Sequence, residues 1–323
     1  VSHRVLVAGA SGYIGRQLVA ALTARGCEVI CLLRTLPDAG RLPELADATI
    51  RVVDFASSDN IRQHGIGGDA FDAVYSCLAT RGGGIRDAWH VEYQCNHQLL
   101  IAARAANIPH FVLLSAICVQ TPTLAFQHAK LAFERELQAS GLRYSIVRPT
   151  AFFKSLSGQI RRIRQGKSFL VFGDGEQTAC KPISERDLAV FLANCLEDVS
   201  AHNAILPVGG PGPAITPLQQ GEMLFRIYEK APKYTHVPVQ LFSIVGALLW
   251  PFAKLSSAAA DKAEFARIGR FYATEPMLCI DPDTGRHSAE ATPSFGHDTL
   301  EAFYKRTRRQ GLAGQELGEH ALF

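Results

Sequence analysis

The sequence has no dense run of basic residues, no HExxH or comparable histidine set, and no second cysteine pair to join Cys27 and Cys31. It has no low-complexity tract either. Each absence closes off a class of function. A net charge of +3, without a basic arm interleaved with aromatics, argues against a dedicated nucleic-acid binder. The eleven histidines and eight cysteines are scattered, so no metal site is expected. Cys27, Cys31, Cys77 and Cys118 stand singly in or beside apolar strands, where cysteine acts as a small hydrophobe; a reducing compartment is expected. The chain enters its first apolar strand at once, and no signal peptide is expected. The most apolar stretch, residues 237–253, is uncharged but interrupted by Pro238, Gln240, Ser243 and Pro251, and is slightly short for a membrane span. It reads as a buried helix. The alternative is a greasy wall or lid for a large apolar substrate, touching a membrane surface.

What is present begins at Arg4. Val5 to Ala8 form a short apolar strand, then Gly9, Gly12 and Gly15 follow, with Ser11, Tyr13 and Ile14 among them. A helix-patterned segment (Ile14, Leu18, Ala21, Leu22) comes next. A dinucleotide site needs this order: one glycine for the tight turn, one for close backbone approach to the pyrophosphate, one for helix–sheet packing. The phosphates then sit at the positive end of the helix. The GxxGxxG spacing resembles that of the atypical and extended short-chain dehydrogenase/reductases. A second apolar strand, residues 28–33, ends at Arg34. An acid there would hold a ribose 2′-hydroxyl, whereas arginine accommodates the 2′-phosphate of NADP. NADPH is expected over NADH.

Short apolar runs alternate with helical patterns up to about residue 150, at 50–53, 73–77, 110–114 and 144–147, with helix-like stretches at 89–105 and 124–139. This predicts an α/β, Rossmann-type doubly wound parallel sheet over residues 1–150. Beyond it, turn signals such as Gly173-Asp174-Gly175 divide short elements. Residues 151–323 read as a smaller, partly interleaved substrate lobe. Ligands in such folds bind beyond the carboxyl ends of the strands. The expected cofactor residues there are Asp54 and Phe55, Leu78, Ala79 and Thr80, Ser115, and Pro149 with Thr150. Arg81 and the glycines 82–84 form a loop able to close over a ligand.

Typical short-chain reductases use a TyrxxxLys pair, in which the lysine holds the nicotinamide ribose and the tyrosine protonates a carbonyl oxygen. The corresponding segment here is Phe126-Gln127-His128-Ala129-Lys130. Lys130 is present, and the i, i+4 spacing puts it on one helix face with Phe126. Phe126 cannot exchange a proton. Ketone reduction needs a donor at oxygen, whereas reduction of a polarised C=C delivers hydride to carbon and spreads the charge through the conjugated remainder. The missing phenol therefore leans toward ene reduction, and also permits a non-catalytic NADPH sensor.

The segments RPTAFFKSLSGQI (148–160), FGDGEQTACKPISERDLA (172–189), LPVGGPGPAITPLQQGEMLF (206–225) and EFARIGRFYATEPMLCIDPDTG (264–285) are similar to the 3,8-divinyl (proto)chlorophyllide 8-vinyl reductases, and so is FQHAK. The resemblance spans nearly the whole chain. It implies NADPH-dependent reduction of the 8-vinyl group of a magnesium tetrapyrrole to ethyl, hydride going to the exposed vinyl carbon. It also implies a bacterial cytoplasm, at the photosynthetic membrane, or the chloroplast of a plant or alga. Lys130 would anchor the ribose, with Tyr272 or solvent as proton source. A flat apolar substrate needs an aromatic-rich cleft, for which Phe126, Phe152, Phe153 and Trp250 are candidates, with His128 an axial ligand to the substrate's magnesium. A reductase of a smaller aromatic substrate, similar to the isoflavone reductases, and an NADPH-binding assembly protein remain the alternatives.

Overall fold

The computed structural model describes residues 2–38, 40–80, 82–253 and 256–311, without the side chains of Val245, Trp250, Phe252 and Ala253. Arg81 and the Trp250 side chain, both singled out above, thus lie outside the described residues. The chain divides into two compact units.

The first unit comprises Val1–Arg81, Arg86–Arg148 and Glu185–Leu206. Its strands are β1 (Arg4–Ala8), β2 (Glu28–Leu33), β3 (Thr49–Val52), β4 (Ala73–Ser76), β5 (His110–Leu114) and β6 (Arg143–Pro149). Further along the chain come β7 (Phe169–Phe172), β8 (Ala204–Val208) and β9 (Tyr234–Val237). The main sheet has seven strands in the order β3-β2-β1-β4-β5-β6-β8. Neighbours from β3 to β6 run parallel, Val5 pairing with Val29 on one side and Ala73 on the other. Strand order reverses at β1/β4, where the ligand crevice of such a sheet opens. β1, β4 and β5 are apolar without alternation because helices cover both faces.

Two features differ from the sequence reading, each for a local reason. Strand–helix alternation resumes once after residue 150. The helix Glu185–Asn194 packs on the first helix, Tyr13–Ala24, and β8 adds the edge strand. The stretch expected as one helix over 89–105 is a wide π turn, Trp89–Cys95, followed by an α-helix, Asn96–Ala105. The Asn96 amide donates to the carbonyls of Val91 (3.2 Å) and Glu92 (3.1 Å) and so supports the wider turn.

The second unit comprises Gly82–Ile85, Pro149–Ser184 and the chain from Pro207 onward. Phe153, Phe169, Leu224, Phe225, Phe303 and Tyr304 lie in its core. The helix Pro217–Tyr228 opens with a capping box, Thr216 and Gln219. The buried Tyr304 hydroxyl donates to the Leu156 carbonyl (2.7 Å) and accepts from Gln220 (2.9 Å). The apolar stretch forms the helix Gln240–Ala253, packed on the helix Ser257–Thr274. It is not the buried helix expected from its composition: Leu241, Ile244 and Leu248 are all more than half exposed. Their i, i+3, i+7 spacing makes one open apolar face. Among the described residues no helix is long and apolar enough to cross a membrane.

Candidate cofactor and catalytic site

The three glycines divide their labour in the way close packing dictates. Gly9 sits at φ +77°, and a Cβ there would lie 2.6 Å from the Cys77 carbonyl carbon. A Cβ at Gly15 would lie 2.1 Å from the Gly9 carbonyl oxygen. Gly12 differs: a Cβ would meet only that same oxygen, at 3.1 Å, and otherwise open space. The Gly12 N–H closes the turn on Gly9 O (3.0 Å). The helix beginning at Tyr13 has no side-chain cap and no acid in its first turn. An uncapped helix start beside an unfilled Cβ position fits a pyrophosphate. Ser11 is exposed at the mouth of the turn, while the Ile14 side chain is buried in the core. The Tyr13 hydroxyl donates to Glu185 (2.6 Å), tying the loop to the returning helix.

Arg34 stands exposed at the end of β2 and makes no ion pair among the described residues. Its guanidinium is available to an anion. Asp54 is exposed, and its carboxylate accepts the Ala56 N–H (2.9 Å). The Phe55 side chain beside it belongs to the core.

At the ends of β4 and β5 the structure gathers a connected polar cluster. The Lys130 ammonium donates to Glu92 Oε2 (2.7 Å), and the Thr80 N–H donates to Glu92 Oε1 (2.9 Å). The Thr80 hydroxyl donates to Asp87. Ser76, at the end of β4, donates to Asn96 Oδ1 (2.5 Å), and Asn96 supports the turn that carries Glu92. Leu78 is half-buried and Ala79 exposed beside this cluster. Burial pushes the Cys77 thiol up to about 12 and the Cys118 thiol up to about 11, with the Lys130 charge opposing both. Those thiols are poor nucleophiles.

Ser115 is spoken for. Its hydroxyl donates to the buried Glu134, which also holds the Arg148 guanidinium through two contacts. Thr150 is also buried, its N–H on Val208 O (3.0 Å) and its hydroxyl on Lys181 O. The neighbouring Pro149 is buried. On the helix Ala125–Ala139, Phe126 and Lys130 share a face, whereas His128 is exposed about 200° around from them. Phe152 is half-buried. Phe153 is fully enclosed against Phe303 (ring centroids 5.5 Å) and is corrected from substrate contact to core. Tyr272 is 40% exposed on the second unit's helix Ser257–Thr274, edge-on to Phe271.

Glu92, Asp87 and Glu134 escaped the sequence reading. The available signal was register: Glu92 repeats with Cys95, Asn96 and Leu99, and Glu134 with Phe126, Lys130 and Leu137, all on buried faces.

The NAD(P)H-binding family model matches residues 9–199. Divinyl chlorophyllide a 8-vinyl-reductase of Oryza sativa subsp. indica is 49% identical, over 99% of this chain and 82% of its own length. The reductase of the same name from Arabidopsis thaliana is 47% identical, over 98% and 79%. Among solved structures, the NADPH-dependent quinone oxidoreductase QOR2 of Escherichia coli shares the fold, with a TM-score of 0.68 at 15% identity over 94% of this chain and 99% of its own.

Proposed function

The chain belongs to the divinyl chlorophyllide a 8-vinyl-reductase family, and we propose that it reduces the 8-vinyl group of a divinyl chlorophyllide or protochlorophyllide to ethyl with NADPH. The observation that carries this beyond family membership is Lys130 on the catalytic helix, locked by a buried glutamate, with Phe126 where a phenol would serve a carbonyl substrate.

NADPH, when bound, supplies the hydride. The chain's residues do the rest. Gly9, Gly12 and Gly15 hold the turn open to the pyrophosphate, and Arg34 takes the 2′-phosphate as a charge-assisted contact. Lys130 directs an ammonium N–H toward the nicotinamide ribose, and Glu92 fixes its orientation, since hydride geometry tolerates little displacement. Phe126 offers an apolar face, which leaves the charge to spread through the macrocycle. Solvent supplies the proton at the inner vinyl carbon. His128, exposed on the far side of the same helix, takes no part in this arrangement.

The uncharged face of Leu241, Ile244 and Leu248 suits peripheral contact with the membrane where such pigments reside. The compartment is accordingly one that makes chlorophyll, a chloroplast or a bacterial cytoplasm.

Incubation of the protein with divinyl chlorophyllide and either NADPH or NADH, followed by chromatography of the pigment, tests the reading. Monovinyl product should form with NADPH and much more slowly with NADH. No product with either cofactor defeats it.

A further inference from the structure

A cavity of about 380 Å³ lies in the second unit between the helices Gln240–Ala253 and Ser257–Thr274. Its walls are apolar and low in relief: Phe242 and Gly246 from one helix, Ala260, Ala263 and Ala266 from the other, and Ile85 from the triglycine segment. That segment is pinned in place. The Ile85 N–H donates to Asp261 Oδ1 (3.1 Å), and a Cβ on Gly84 would lie 2.8 Å from the same oxygen. A side chain at Gly84 would have to displace the Asp261 carboxylate.

Among the described residues, three charged ones line this apolar space. Glu264 is 2% exposed and pairs with Arg267 at 2.8 Å, so those two charges answer each other. Arg270, also lining the cavity, is exposed and makes no ion pair among the described residues. Arg267 is thus committed to the buried Glu264. Among the described lining residues, the charge left for a ligand is the guanidinium of Arg270.

A flat apolar body with one carboxylate matches this arrangement. A chlorophyllide is such a body, because its propionate is unesterified. The volume is near the lower end of ligand pockets, about 300–1,000 Å³, which suits one edge of a macrocycle. We propose that the cavity takes that edge and that Arg270 binds the free propionate, an assignment that rests on the reading of the substrate given above. Arg270 is thus a specificity contact for a group that does not react.

Quenching of pigment fluorescence gives dissociation constants for divinyl chlorophyllide and its propionate methyl ester without turnover. Arg270→Gln should weaken the free acid about ten- to hundredfold, the loss of one charge-assisted contact, and the ester by less than about threefold. Ala260→Trp fills the cavity and should weaken both pigments together. Equal effects of Arg270→Gln on acid and ester, or no effect on either, overturn the assignment, as does unchanged binding in Ala260→Trp. Failure of the functional reading looks different: wild-type protein that binds the acid but never reduces it.

Discussion

Lys130 Nζ lies 2.7 Å from Glu92 Oε2 in a pair almost closed to solvent, the two side chains being 11% and 3% exposed. The second Glu92 oxygen accepts the Thr80 N–H, so the lysine is anchored to the loop that leaves β4. A charge held this firmly is oriented before any ligand arrives.

Removing one partner alone confounds stability with chemistry. Lys130→Ala leaves Glu92 buried without its cation and should destabilise the fold by about 3–5 kcal/mol. The double variant Lys130→Met with Glu92→Gln removes both charges and should unfold in urea much closer to the parent midpoint. It should still lack vinyl reduction in single-turnover assays. Parent-like rates in that folded double variant would remove Lys130 from the chemistry.

Phe126→Tyr restores the phenol that carbonyl reductases use. General acid catalysis contributes roughly 100- to 10,000-fold where it limits a reaction. Vinyl reduction as proposed needs no donor at this position, so turnover should change by less than about tenfold. A gain of the larger size would mean that the phenylalanine merely handicaps the site.

Arg34→Glu tests the role proposed for Arg34, because it would set a like charge against the 2′-phosphate. NADPH should weaken about ten- to hundredfold and NADH little. Titration of both cofactors checks this, and equal weakening would point to a reader elsewhere.

The glycines separate folding from binding. Gly15→Ala puts a Cβ about 2 Å from the Gly9 carbonyl, an overlap that forces a backbone shift and should lower the melting temperature. Gly12→Val, by contrast, meets only the Gly9 carbonyl oxygen, at 3.1 Å, so the protein should fold with a much smaller loss of stability and lose NADPH. Circular dichroism melts alongside cofactor titrations distinguish the two outcomes.

His110 predicts a pH response. Burial lowers its pKa from 6.5 to about 4, with His202 and Arg143 adding to the effect. Its Nε2 lies 3.0 Å from Ser145 Oγ, whose own hydrogen goes to Ala201 O, so the neutral ring is the donor. The unfolded chain binds this proton near pH 6.5 and the native state only near pH 4. The stabilisation is therefore complete above 6.5 and is lost as pH falls toward 4, on the order of 3 kcal/mol in all. Urea unfolding between pH 5 and 7 should show this slope, and His110→Gln should flatten it.

Much of this was legible in the sequence, and the misses share a cause. β1, β4 and β5 announce themselves because strands buried on both faces are apolar throughout. β8 hides because it is a half-exposed edge strand containing Pro207. Lys130 was legible through its spacing from Phe126. Glu92 was not, since a glutamate in a helical stretch reads as solvated until its neighbours prove to be core. Phe152 and Phe153 look alike in sequence, yet alternate faces send one into the core and leave the other half-exposed. The open face of Leu241, Ile244 and Leu248 reads as core by composition alone.

The most direct test of the whole account follows a labelled hydride. Protein mixed with divinyl chlorophyllide and NADPH deuterated at nicotinamide carbon 4, on the transferring face, should consume one NADPH per pigment. Mass spectrometry and NMR of the product should then find one deuterium on the terminal carbon of the new 8-ethyl group. Unreduced pigment, or an ethyl group carrying no deuterium from the cofactor, would contradict it.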